Sequence, residues 1–224
     1  MRPLPLALLL SASLTAQAGP RGPGPTAYAP PPRALVNELH AETGLLTGGY
    51  TFEGGGWNDV YLASGGGGHY LFGGLTVEGS VLSLLPLERN GPGPSLSLSV
   101  RVGYTGERWS VVAGPVLQGA HRAEPLLQVL PSLRGLYDVG PVRLDAGVLD
   151  GNGMVPAHVG VSYGPVGIGY VLPLGVRAQA RIPLTARTGL LVSGHAFRLF
   201  GAHSALLTVG LVGNPPSSRP GVSP

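Results

Sequence analysis

The chain has no cysteine and no lysine, and only 11% of its 224 residues are charged. Without cysteine there is neither a disulfide framework nor a thiolate metal site. Ordinary soluble domains carry about 25% charged residues, and soluble sheets use charges, lysine above all, to keep their edges from pairing with other chains. A chain this poor in charge, with a mean hydropathy of +0.26, suits a surface that meets lipid. Long apolar runs are missing as well, so no segment supplies the roughly 20 residues that a membrane helix takes. If the chain enters a bilayer it must do so as a closed sheet, because only helices and barrels satisfy every backbone group in hydrocarbon. Helices are disfavoured throughout, since 38 glycines and 23 prolines interrupt most stretches of a dozen residues.

What is present begins at Met1 with a single positive charge at Arg2, a short apolar run over residues 4–10 and the ending Ala16-Gln17-Ala18. These are the three parts of a secretory signal peptide, with cleavage expected after Ala18. Residues 19–33 and 214–224 are rich in proline and glycine. Neither can bury enough apolar surface to fold, so they are expected as a flexible leader and a disordered tail. Residues 34–213 are expected to form one domain.

That domain alternates. From 95 to 104 the residues Leu96, Leu98, Val100, Val102 and Tyr104 are apolar, while Ser95, Ser97, Ser99, Arg101 and Gly103 are not. The same period of two runs through 142–148, 155–163 and 176–184, and more weakly through 35–43, 109–118, 127–137, 190–199 and 204–212. Successive side chains of a strand point to opposite faces, so each segment has one apolar side and one small or polar side. Short links are expected at 105–107, 138–140, 164–165, 187–189 and 201–202, with longer ones at 90–94, 119–125 and 150–155. The clusters at 54–56 and 65–68 read as glycine loops. The segments number about 12, with 8 to 12 acceptable.

A soluble β-sandwich also alternates, with its polar side in water. Here the polar side carries glycine, serine, glutamine and isolated arginines rather than Lys, Glu and Thr. Such residues suit the crowded interior of a narrow barrel, and the apolar sides are therefore expected to face lipid. The lumenal charge cluster read this way comprises Glu38, His40, Glu42, Arg101, Arg134, Arg143, Asp145, Arg177 and Arg181. The N-terminal segment, the alternating runs and the short-then-long links together resemble small bacterial outer-membrane β-barrels. The resemblance implies an all-β, up-and-down antiparallel transmembrane barrel in the cell outer membrane, with lipid and the barrel assembly machinery as partners. Those barrels commonly end in a strand with a terminal aromatic, whereas the last run here (Ala205, Leu207, Val209, Leu211) has none. Candidates for interfacial aromatic girdles are Tyr50, Trp57, Tyr61, Tyr70, Tyr104, Trp109, Tyr137, Tyr163 and Tyr170.

No constellation demands an enzyme, a metal or a cofactor. Glu38, His40 and Glu42 share one strand face and could hold a divalent metal, but they read first as charges balancing the arginines. If the barrel closes, the last strand offers the first only His203 and Ser204, and no counter-charge. Ser193 and His195 share a face and could act as nucleophile and base; polar filling is the plainer reading. Residues 151–224 hold five arginines and no acid, which opens the alternative of an anion-leaning pore using Arg101, Arg143, Arg177 and Arg181. A soluble exported sandwich that binds a partner is the other alternative. The arginines are scattered singly, without the basic, aromatic-lined face of a nucleic-acid binder.

Overall fold

The computed structural model describes residues 37–52, 55–72, 74–87, 93–120, 126–150 and 155–213. The expected signal peptide, leader and tail lie outside the described residues. Twelve strands follow one another: β1 (Glu38–Phe52), β2 (Gly55–Phe72), β3 (Leu75–Pro86), β4 (Ser95–Thr105), β5 (Trp109–Ala120), β6 (Leu126–Val139), β7 (Val142–Asp150), β8 (Val155–Tyr163), β9 (Val166–Val171), β10 (Leu174–Pro183), β11 (Thr188–Leu199) and β12 (Ala202–Gly213). Each pairs antiparallel with its sequence neighbours. The sheet closes where β1 meets β12, Leu39 opposite Gly213 and Tyr50 opposite Ala202. The fold is a closed, up-and-down, all-antiparallel barrel. Its count matches the alternating segments.

The barrel is apolar outside and polar inside. In β4, Leu98, Val100 and Val102 are 41–48% exposed, whereas Ser99 and Arg101 are 0% and 2% exposed. The same division holds where Val159 and Ile168 face out and His158 faces in. The inner face is not uniformly small and polar, however. Leu46, Tyr61, Ala63, Leu82 and Leu84 form a buried apolar cluster on β1–β3, with Leu206 of β12 against it. Alternation between residues 38 and 86 is too weak to announce that patch, and it places Tyr61 in the interior rather than in a girdle.

The two rims differ. One carries the links at 73–74, 106–108, 140–141, 164–165 and 184–187 together with both ends of the barrel chain; this is the turn rim. The other carries the longer links at 87–94, 121–125 and 151–154 together with two-residue links at 53–54, 172–173 and 200–201; this is the loop rim. The alternation of short and long links expected between residues 95 and 171 is therefore present. Along the turn rim Phe72, Tyr104, Trp109, Tyr137 and Tyr163 are exposed and outward, an aromatic girdle of the kind found at bilayer interfaces; the side chains of Tyr50 and Trp57 lie outside those described.

Residues 65–68 are not a loop. They lie inside β2, with Gly65 between Glu42 and Leu82 and Gly67 between His40 and Ser80. A run of glycines has no side chains to display a period. What requires glycine is proximity: a Cβ on Gly67 would stand 2.6 Å from that of Ser80.

Strand length varies around the wall, from 18 residues in β2 to six in β9. At about 3.3 Å per residue and a tilt of about 40°, β2 makes about 45 Å of wall and β9 about 15 Å. The wall is lowest at β9.

Candidate functional site

The charges that alternation places on the inner face come together as one network. Arg101, on β4, donates from Nη2 to Glu78 Oε1 of β3 at 2.5 Å and from Nη1 to Asp150 Oδ1 of β7 at 2.8 Å. The same Nη1 donates to Ser132 Oγ of β6 at 3.0 Å. Arg134, also on β6, approaches Glu78 at 3.5 Å and Asp150 at 3.9 Å. His158, on β8, lies with Nε2 at 2.9 Å from Asp145 Oδ2 and at 3.8 Å from Asp150. Arg177, on β10, meets Asp145 at 3.1 Å. Glu78 and Arg177 thus belong to one chain of contacts that starts on β3 and ends on β10. In a twelve-stranded ring those strands stand nearly opposite, so the network crosses the lumen instead of following the wall.

Backbone supplies the room. Opposite Asp145 on β8 is Gly160, and opposite His158 on β7 is Gly147. A Cβ on Gly160 would come within 2.6 Å of Asp145 Oδ1, and one on Gly147 within 2.7 Å of His158 Cε1. Asp150 enters by a different device. Strict alternation from Asp145 would turn it outward, but Leu149 takes a left-handed φ of 51° and the next side chain swings into the lumen. That conformation costs a non-glycine residue about 1–3 kcal/mol. Arg101 Nε, Arg134 Nε and His158 Nδ1 are buried without a hydrogen-bond partner.

Other charges form three smaller groups. Glu38 accepts from Arg181 Nη2 at 2.6 Å, across from β1 to β10. The counter-charge that β12 does not supply therefore comes from two strands further on. Glu42 accepts from Thr208 Oγ1 at 2.6 Å and lies 3.5 Å from Ser193 Oγ, whose hydroxyl is 2.8 Å from that of Thr208. Asp138 accepts twice from Arg143, at 2.7 and 3.0 Å, beside the turn rim.

Of the nine residues expected in the lumen, Arg101, Arg134, Asp145 and Arg177 join the main network, Glu38 pairs with Arg181, and Arg143 takes Asp138. Glu42 bonds hydroxyls only. His40 stands between Glu38 and Glu42 on the same face, opposite Gly67 and Val212, and the two carboxylates flanking it are turned to other partners. Glu78, Asp138, Asp150 and His158 escaped the sequence reading as partners. Glu78 falls in the stretch of weak alternation, and Asp150 reads as part of a loop. His158 does not bond Ser162, four residues along its strand. Ser193 and His195 share the inner face, but Ser193 turns to Thr208 while His195 stacks on Phe197, ring centroids 5.8 Å apart.

A closed antiparallel sheet with apolar residues outside and charges inside is the architecture of outer-membrane β-barrels. No sequence family and no curated protein matches the chain. Among solved structures the barrel is similar to Neisserial surface protein A, at 11% identity and a TM-score of 0.38, covering 81% of this chain and 99% of that one. It is similar to outer membrane phospholipase A from Escherichia coli at 12% identity and a TM-score of 0.43, covering 77% and 96%. It is similar to the outer membrane protease OmpT from the same organism at 10% identity and a TM-score of 0.40, covering 84% and 99%. At such scores the fold rests on the twelve strand ladders, not on these neighbours.

Proposed function

We propose that the protein is an integral outer-membrane β-barrel with a closed lumen, exported by its N-terminal segment, whose role is structural or one of interaction at the cell surface. One observation carries the membrane reading. The outward rows of Leu, Val, Ile and Tyr run around the whole barrel, far beyond the few hundred Å² of contiguous apolar surface that a soluble monomer tolerates. Lipid is the solvent such a face fits. By the general pattern of these barrels the turn rim faces the periplasm and the loop rim the outside.

The network from Glu78 to Arg177 supports a plug. Its three arginines, Arg101, Arg134 and Arg177, are matched by three carboxylates, Glu78, Asp145 and Asp150. Arg143 and Arg181, which an anion path would use, hold Asp138 and Glu38. Paired charges give an anion no uncompensated site. The Ser193–His195 pair lends no support to catalysis, because no hydrogen bond joins them.

Purified protein inserted into planar lipid bilayers tests the closed lumen. Insertion without conductance steps at any voltage is the expected result; anion-selective steps would replace the plug with the pore reading.

A further inference from the structure

We infer that the outer face of β9–β12 seats an anionic phospholipid, one whose phosphate charge no ammonium on the head group offsets, with that phosphate on Arg198 and the acyl chains along a groove floored by Ala178, Gly194 and Ala196. The inference rests on the membrane reading above. The strand registers set out the groove row by row. One row across the outer face runs Val161, Ile168, Ala178, Gly194, Leu207. The next row towards the loop rim runs Val159, Tyr170, Val176, Ala196, Ala205. Large side chains on β8 and β9 form one bank and Leu207 of β12 the other, with the small residues of β10 and β11 between them. The resulting cavity is about 970 Å³, almost wholly apolar in its lining, within the range of about 300–1,000 Å³ usual for small-molecule sites. It adjoins the shortest strand of the wall.

Charge identifies the head group. Directly beyond Ala196, on the same face and towards the loop rim, comes Arg198, flanked by Leu174 and His203. Arg198 is exposed and has no salt bridge among the described residues. Residues 151–224 contain no acid, and of the described acids Glu38, Glu42, Asp59, Glu78, Asp138, Asp145 and Asp150 lie on the inner face while Glu107 lies at the opposite rim. His203 lies 3.3 Å from Asn58 Oδ1, so its ring already has a partner on the outer face. A guanidinium with no ion pair among the described residues, at the edge of an apolar groove, fits the phosphate of an anionic lipid, which it can engage through two parallel N–H donors. The acyl chains of the same molecule then fill the groove beneath it.

Native mass spectrometry of the full chain in mild detergent tests the seat, using phosphatidylglycerol and phosphatidylcholine with identical myristoyl chains and, separately, inorganic phosphate. One phosphatidylglycerol per barrel should be retained in preference to phosphatidylcholine. Arg198→Gln should weaken that retention about tenfold, the scale of one charge-assisted contact, and Ala178→Leu should weaken retention of both lipids. Inorganic phosphate alone should not be retained. Heat-dependent gel mobility confirms that each variant is folded, and neither position touches the plug. Equal retention of the two lipids, indifference to Arg198→Gln, or a groove occupied by a second copy of the chain would overturn the inference while leaving the membrane barrel intact. Release of the protein from membranes by carbonate without detergent would overturn the barrel reading itself.

Discussion

Arg101 and Asp150 meet at 2.8 Å although two strands, β5 and β6, separate theirs in the wall. Their side chains therefore span a chord of the barrel, and each is held from more than one side: Arg101 also by Glu78 and Ser132, Asp150 also by Arg134 and His158. This pair is the centre of the lumenal network.

Removing one member of a buried pair costs about 3–5 kcal/mol, because the partner is left charged and unmatched. Arg101→Ala is expected to lower barrel stability on that scale in equilibrium unfolding from lipid vesicles. Arg143→Ala, at the turn rim, removes an arginine whose side chain is 36% exposed. Because its partner Asp138 is itself buried, the expected cost is intermediate, about 1–3 kcal/mol.

Close approach of strands sets a second contrast. A Cβ at Gly114 would lie 2.0 Å from the carbonyl oxygen of Val100, whereas one at Gly135 meets nothing nearer than 3.9 Å. Gly114→Ala is expected to destabilise by about 1–3 kcal/mol, as overpacking does, or to reduce the folded fraction on heat-dependent gels. Gly135→Ala should be indistinguishable from the parent.

The outer face offers a third. Val100 is outward and 45% exposed at the middle of β4. If it faces acyl chains, Val100→Arg is expected to cost about 2–4 kcal/mol in lipid-vesicle unfolding, the usual figure for arginine near the bilayer midplane. An exposed position in water would shift by no more than about 0.5 kcal/mol.

Much of this fold was legible before any coordinates, and the reasons are local. Over 95–104 and 155–163 each residue declares its face, because Leu or Val alternates with Ser, Gly, Arg or His. The inward placement of Arg101, Arg134, Asp145 and Arg177 follows from that parity. Where parity is silent the sequence does not declare a face. Gly65 to Gly68 carry no side chain that could alternate, so this part of β2 reads as a loop. Asp150 reaches the lumen only because Leu149 adopts a positive φ, which breaks the parity that would turn it outward. Partners such as Glu78 and Arg101 sit 23 residues apart and are joined by ladder register, a quantity set by all the intervening turns. The groove on β10 and β11 was equally hidden, since Ala178 and Gly194 look unremarkable until register sets them side by side.

The absence of cysteine makes the most direct measurement a clean one. Single cysteines placed at 98, 99, 100 and 102 can each carry a small fluorophore in vesicles, to be quenched by brominated acyl chains or by iodide in the water. Quenching by the brominated lipid at 98, 100 and 102, with position 99 shielded from it, is the expected result. Iodide quenching at 98, 100 and 102, with no effect of the lipid bromines, would contradict a barrel whose leucines and valines face the bilayer.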